Sequence, residues 1–339
     1  TPGGVNNRRP DRAAIVYANL IRRHSRPAVP IVLGGIEASL RRISHYDFWT
    51  NRIRRSILFD ARADILVYGM GEQTVLALAA ALDEKTDWRP LRGLCYIAPQ
   101  PRTNYLILPA HPIVASDPRA FTQMFHAFYR NNDPVSDSGL CQQQDTRWLV
   151  QNPPAFPPTT EELDAVYELP YTHAQHPFYE TQGSVRALDT IRFALTTHRG
   201  CYGECHFCAI AVHQGRTVQW RSQASLLREA RRLTNHPRFK GVLLDVGGPT
   251  ANMYQMRCTK PEVEAKCRRV SCVFPTVCKL LGTDHGPLIQ LMRESRQVPG
   301  VKKVLVASGI RMDLARRSPR YVRELTRHHV GGHLKVAPE

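Results

Sequence analysis

Three cysteines lie in the string Cys201-Tyr-Gly-Glu-Cys205-His-Phe-Cys208, separated by three and two residues. Thiolates at this spacing on a short loop can curl round one face of an iron–sulfur cubane, ligating three irons and leaving the fourth open. An open iron takes an exogenous chelate, which the amino and carboxylate groups of S-adenosylmethionine (SAM) can supply. Reduction of such a cluster cleaves the sulfonium and releases a 5′-deoxyadenosyl radical; that chemistry belongs to the cofactors, and the protein binds and orients them. Two plainer readings stand beside this one. A zinc ion could be completed by His198, His206 or His213, or three thiols could simply share a buried loop. Against zinc, Cys205 and Cys208 form one C-x2-C pair and the chain has no second such pair to close the site.

A second set, Cys258, Cys267, Cys272 and Cys278, is separated by eight, four and five residues. It could hold a second iron–sulfur cluster or a zinc ion, or remain as buried thiols. Seven of the nine cysteines therefore fall between residues 201 and 278. Without a secretory leader, that clustering reads as metal or redox chemistry rather than a disulfide framework.

The elements that must position these residues alternate between helix and strand. Residues 11–24 carry apolar positions at helical spacing, and Ala28-Val-Pro-Ile-Val-Leu-Gly-Gly35 and Asp64-Ile-Leu-Val-Tyr-Gly69 are short apolar runs ending in glycine, the pattern of buried parallel strands. With the helix from Gln73 to Leu82 they predict an incomplete Rossmann-like, doubly wound α/β domain over 1–98. Residues 99–186 are rich in proline and interrupted by polar runs such as Cys141-Gln-Gln-Gln-Asp, which predicts an ordered linker. From 187 onward, strands at 189–197, 241–248, 301–308 and 334–337 alternate with helices at 225–233, 285–297 and 321–328. This predicts the first part of a (β/α) barrel over 187–339, interrupted by a cysteine-containing insertion over 250–284. The first cysteine set leaves the first barrel strand and the second follows the next, so both emerge at the face where barrel active sites are built.

The 339 residues, 42% hydrophobic, suffice for two or three domains. No apolar run reaches the roughly 18 residues that a bilayer span takes, so a cytoplasmic location without a membrane partner is expected. The chain opens without Met or an apolar leader and closes at a strand exit, so both ends read as cut from a longer protein. The net charge of +17 permits an RNA partner without demanding one. Its one local concentration, Arg41, Arg42, Arg52, Arg54 and Arg55, is read as solvated surface or internal ion pairs ahead of a phosphate track. A cysteine–zinc, arginine-rich RNA-binding protein without catalysis is the alternative to the radical chemistry.

The longer strings around these features resemble the YgiQ-type radical SAM family. They are Cys201-Tyr-Gly-Glu-Cys-His-Phe-Cys-Ala-Ile, His213-Gln-Gly-Arg, Asp245-Val-Gly-Gly-Pro-Thr-Ala-Asn-Met-Tyr and His329-Val-Gly-Gly-His-Leu-Lys-Val-Ala-Pro-Glu, with Thr1-Pro-Gly-Gly and Gly34-Gly-Ile-Glu-Ala-Ser at the other end. The resemblance implies a [4Fe–4S] cluster on Cys201, Cys205 and Cys208, reductive cleavage of SAM, and an electron donor such as a flavodoxin or ferredoxin. It implies Phe207 beside the adenine, the backbone of Gly247 and Gly248 on the SAM amino group, and Ser308, Arg311 and Glu339 on the methionyl and ribose parts. It leaves open whether the substrate is a small molecule or RNA. The N-terminal pattern resembles the second half of a cobalamin-binding domain. The lower-ligand motif Asp-x-His-x-x-Gly is absent, so the domain is expected to keep that fold without cobalamin.

Overall fold

The computed structural model describes residues 2–5, 9–135 and 138–337. They form two compact units: Arg9–Pro157 with Val212–Gly215, and Thr1–Arg8 with Pro158–Ala211 and Arg216–Glu339. The boundary differs from the sequence-based division at 98 and 186, because residues beyond 98 complete the N-terminal sheet.

In the N-terminal unit a six-stranded sheet runs in the order Val32–Leu33, Ile65–Val67, Leu94–Ala98, Arg147–Gln151, Leu140–Gln144, Leu106–Leu108. The first two strands are parallel, as their glycine-terminated apolar runs predict, with Val32 opposite Ile65. The next three junctions are antiparallel and the last is parallel. The sheet is therefore mixed, not the uniformly parallel sheet expected of a Rossmann-like domain. The run Ile65-Leu-Val-Tyr68 is apolar throughout because both faces are covered. Ile65 and Val67 pack with Leu78 and Leu94 on one side, while Leu66 and Tyr68 join Leu33, Leu58 and Leu108 on the other.

The residues expected to form a linker are ordered for identifiable reasons. Pro112 and Pro118 sit in the first turns of the helices His111–Ser116 and Pro118–Arg130, where a missing N–H costs nothing. The polar run 141–144 is a buried strand rather than a loop. Gln142 Oε1 accepts from Ser44 N and Gln144 Oε1 from Ser56 N, both at 2.9 Å, so the amides are satisfied by loop backbone that would otherwise be orphaned.

The arginine concentration resolves largely into internal partners. Arg41 pairs with Glu37, Arg54 with Asp60 at 2.6 Å, and Arg55 with Asp60 and Asp145, while Arg42 is wholly buried. In the adjoining hairpin, His45–Asp47 pairs with Arg52–Arg54. There Asp47 takes both amino groups of Arg12, at 3.1 and 2.7 Å, and the Thr50 N–H. The Arg12 hydrogen bonds hold the Asp47 carboxyl well below the usual carboxylate range. Because the folded-state pKa is depressed, the stability it contributes is fully present above the ordinary pKa of about 4 and is lost as pH falls further. Asp47→Asn should therefore melt below wild type at neutral pH, with the gap narrowing below about pH 4. A gap that stays constant down to acid pH would show that the ion pair is not its source.

The C-terminal unit is built from short parallel pairs. Ala194–Thr196 lies beside Asp245–Gly247, Val242–Leu243 beside Lys303–Val304, and Ile310–Arg311 beside Val336–Ala337. The helices Gln223–Thr234, Gly286–Gln297 and Pro319–His328 cover them, and Leu226, Leu233, Ile289, Met292 and Leu325 share one core with Leu195, Val246 and Val304. The strand expected over 189–197 is shorter. Ala187–Ile191 is helical, with Arg192 N–H closing on Leu188 O and the Arg192 guanidinium held by His173 O. Among the described residues, no helix is long and apolar enough to cross a membrane.

Candidate metal centre

The first cysteine set sits on a loop with a fixed neck. His198–Arg199 pairs antiparallel with Gln219–Trp220, and the chain enters the loop through Gly200 at φ +77°. A Cβ at Gly200 would lie 2.0 Å from Thr217 O, so both the left-handed conformation and the close approach require glycine. Beyond the neck, Gly203 N–H donates to Cys201 Sγ at 3.3 Å, and Cys208 N–H donates to Cys205 O at 2.9 Å. A Cβ on Gly203 would meet Cys201 Sγ at 3.2 Å, Cys205 Sγ at 3.4 Å and Arg311 Nη1 at 2.9 Å. Glycine at 203 thus leaves the two sulfurs and a guanidinium gathered round one bare Cα. Glu204, also left-handed, pairs with Arg216 at 2.5 Å. Burial pushes the Cys201 thiol up to about 11, and Gly203 N–H and Arg311 oppose that shift.

The insertion backs this loop. Ser271 Oγ donates to Gly203 O and Tyr202 O, and Cys272 N–H to Tyr202 O at 3.2 Å. Tyr202 packs with Met253, Met256, Val273 and Leu281, and Cys272 and Cys278 lie against the same cluster. Cys258 bridges to Leu281, and Cys278 N–H donates to Cys272 O. Burial, followed by its neighbours Cys278 and Cys267, pushes the Cys272 thiol up to about 12. Cys267 is exposed, and none of the nine cysteines is in a disulfide. Among the described residues, no three His, Cys, Asp or Glu side chains are grouped to hold a single ion. A cubane makes no such demand, since its three protein thiolates sit on separate irons.

Of the residues expected to contact SAM, Gly247 and Arg311 end strands, Gly248 and Ser308 lie in the connections beyond strands, and Phe207 lies in the cysteine loop. Gly247 ends its strand, and its O accepts from Thr197 N–H at 2.7 Å. A Cβ there would be 3.0 Å from Ser308 Oγ, and one on Gly248 would be 2.6–2.8 Å from three atoms of the His198 ring. Both glycines thus have a packing reason beside any cofactor role. Ser308 is turned toward Asp245, which accepts from the Ser308 hydroxyl and from Ala307 and Ser308 N–H at 2.8 and 3.1 Å. Phe207 is 79% exposed. Glu339 lies outside the described residues.

Four residues have supporting roles that the sequence did not assign. Asn252, fully buried, accepts from Arg311 N–H at 2.8 Å and donates to Arg311 O at 3.1 Å. Asp313 holds the Arg311 fork through Nε at 3.1 Å and Nη2 at 2.7 Å, and Arg311 Nη1 lies 3.6 Å from Cys205 Sγ. Asp245 fixes Ser308. His198 is fully buried, with Nδ1 2.7 Å from Thr197 Oγ1. Burial pushes its pKa down to about 3, so the ring is neutral at physiological pH. Asn252 and Asp245 stood within the quoted string 245–254 and His198 among the candidate zinc ligands, while nothing in the sequence pointed to Asp313.

The His198–Gly248 contact makes a checkable case. Gly248→Ala should overpack a ring that cannot leave its site, costing about 1–3 kcal/mol, read as a lowered urea midpoint. His198→Ala in the same chain should recover much of that loss, a coupling between neighbours. Strictly additive effects would show that the ring is not the obstacle.

The glycine-necked three-cysteine loop and the α/β units around it can be set beside known proteins. The chain matches the radical SAM N-terminal family over residues 1–194, and it belongs to that family. A UPF0313 protein of Fusobacterium nucleatum is 47% identical over 344 residues, covering 100% of this chain and 61% of the relative. UPF0313 proteins of Methanocella arvoryzae and Thermotoga maritima are 47% and 45% identical, each over 100% of this chain and over 57% and 60% of their own length. The chain thus spans somewhat under two thirds of these relatives. Among solved structures, the radical S-adenosylmethionine methyltransferase TsrM of Kitasatospora setae, with cobalamin and [4Fe–4S] cluster bound, superposes with a TM-score of 0.44 at 14% identity. That match covers 88% of this chain and 40% of TsrM. The zinc–RNA alternative finds no support in these matches.

Proposed function

We propose that this chain carries the cluster- and cofactor-holding part of a radical SAM enzyme, with a [4Fe–4S] cluster on Cys201, Cys205 and Cys208. The observation that carries the reading is the pocket round Gly203, where the absence of a Cβ leaves room for two cysteine sulfurs and the Arg311 guanidinium at one point. The donor set suits the group: three thiols outside any disulfide, soft ligands of the kind that iron–sulfur clusters take.

Bound there, the cluster and SAM would supply one-electron cleavage of the sulfonium to a 5′-deoxyadenosyl radical. The chain's own residues hold and orient. Each of the three cysteines would bind one iron as a thiolate, giving up its proton on metal binding. The backbone of Gly247 and Gly248, the Ser308 hydroxyl and Arg311 would meet the methionyl end of SAM, and the exposed Phe207 ring would lie by its adenine. In this reading the parallel pairs of the C-terminal unit are the opening of a barrel, and the N-terminal unit is a modified cobalamin-type domain.

The test uses the full-length protein, reconstituted without oxygen and reduced in the presence of SAM. About four irons and four sulfides per first-site cluster and formation of 5′-deoxyadenosine are expected. Zinc in place of iron, or an intact cluster that yields no 5′-deoxyadenosine, would overturn the proposal.

A further inference from the structure

We infer that Arg311 sets the reduction potential of the cluster by donating from Nη1 to the sulfur of Cys205, an inference that rests on the cluster reading above. The Arg311 residue is held firmly on both its backbone and its side chain. Its backbone N–H and C=O are both taken by the buried amide of Asn252, and its Nε and Nη2 are taken by Asp313. Nη1 lies 3.6 Å from Cys205 Sγ, in the space that a Cβ on Gly203 would fill. The residue is 4% exposed, so water and salt screen its charge little.

Cluster potentials respond to net charge, hydrogen bonds to sulfur and solvent exposure, and the residues behind the ligands tune them. Reduction adds one electron from an external donor to the cluster, while Arg311 remains protonated throughout and exchanges nothing. A fixed positive charge and an N–H···S contact both favour the more negative, reduced cluster. Asp313 works against that charge from the other side of the guanidinium, through a side chain about one-third exposed. The pair is therefore a bias of two opposed parts, and removing either should move the potential in its own direction.

The experiment is a redox titration of the reconstituted full-length protein followed by electron paramagnetic resonance, with iron and sulfide counted in each variant. Arg311→Met should lower the ratio of reduced to oxidised cluster at a given potential about tenfold, which for one electron is a shift of about −59 mV. Asp313→Asn should raise that ratio, and Arg311→Lys, which keeps the charge but not the fork, should fall between wild type and Arg311→Met. Unchanged potentials in Arg311→Met and Asp313→Asn with iron content intact overturn the inference, as does a shift of either in the opposite sense. If Arg311→Met fails to retain iron, Asp313→Asn decides alone. A wild-type protein that holds no cluster fails earlier, at the iron count, and takes the cluster reading and this inference down together.

Discussion

Replacing Cys205 by alanine is expected to abolish SAM cleavage, lowering 5′-deoxyadenosine formation about a thousandfold or more, the scale on which removing one member of a catalytic unit acts. Two protein thiolates cannot hold a cubane as three do. The lost sulfur is also the one that faces both Gly203 and the Arg311 guanidinium. Its removal leaves that guanidinium nearly buried beside a gap, with Asp313 as its ion-pair partner. The folded chain should survive, because the loop is anchored elsewhere: by the Gly200 neck, by Ser271 on the Gly203 and Tyr202 carbonyls, and by Tyr202 in its apolar cluster. The measurement pairs product yield with iron content and a thermal melt. Undiminished product from an iron-replete Cys205→Ala protein would end the assignment of this sulfur.

Arg42→Ala should have the largest effect on stability. Arg42 is fully buried, with its guanidinium 4.4 Å from the ring centres of both Tyr68 and Phe128. It donates to Gln151 Oε1 and Asn132 Oδ1, each at 2.9 Å, and to Ser39 O. Burial alone pushes its pKa down, yet guanidinium remains charged, so the charge is carried by ring faces and amide oxygens rather than by a carboxylate. Truncation leaves a cavity and strands those acceptors, a loss of about 3 kcal/mol. For a unit of this size that is a drop of roughly 6–12 °C in melting temperature. Arg42→Lys should recover only part of it, since a point ammonium cannot span two rings and two amides. A melt within a degree of wild type would show that the burial contributes little.

How much of this was legible in the sequence varies by element. The parallel pair at Val32 and Ile65 and the helices Gln223–Thr234, Gly286–Gln297 and Pro319–His328 follow the periodicity closely, since each reports a face that must be buried. The mixed sheet was not legible. A buried polar strand such as 141–144 depends on the amides of Ser44 and Ser56, roughly 90 residues away in the chain. Nor could the arginines be sorted, since Arg42 and Arg52 are alike as letters while only one lies between Tyr68 and Phe128.

By itself, the sequence determined where the chemistry proposed for this protein would sit. Cys201, Cys205 and Cys208 are close in the chain, and a short ligand spacing on one loop is a local property that needs no distant partner to be read. Only the tertiary structure decided what surrounds them. Arg311, Asn252, Asp245 and the insertion around Ser271 come from far along the chain, and a charge gains its meaning from what lies within a few ångströms of it once water has been excluded.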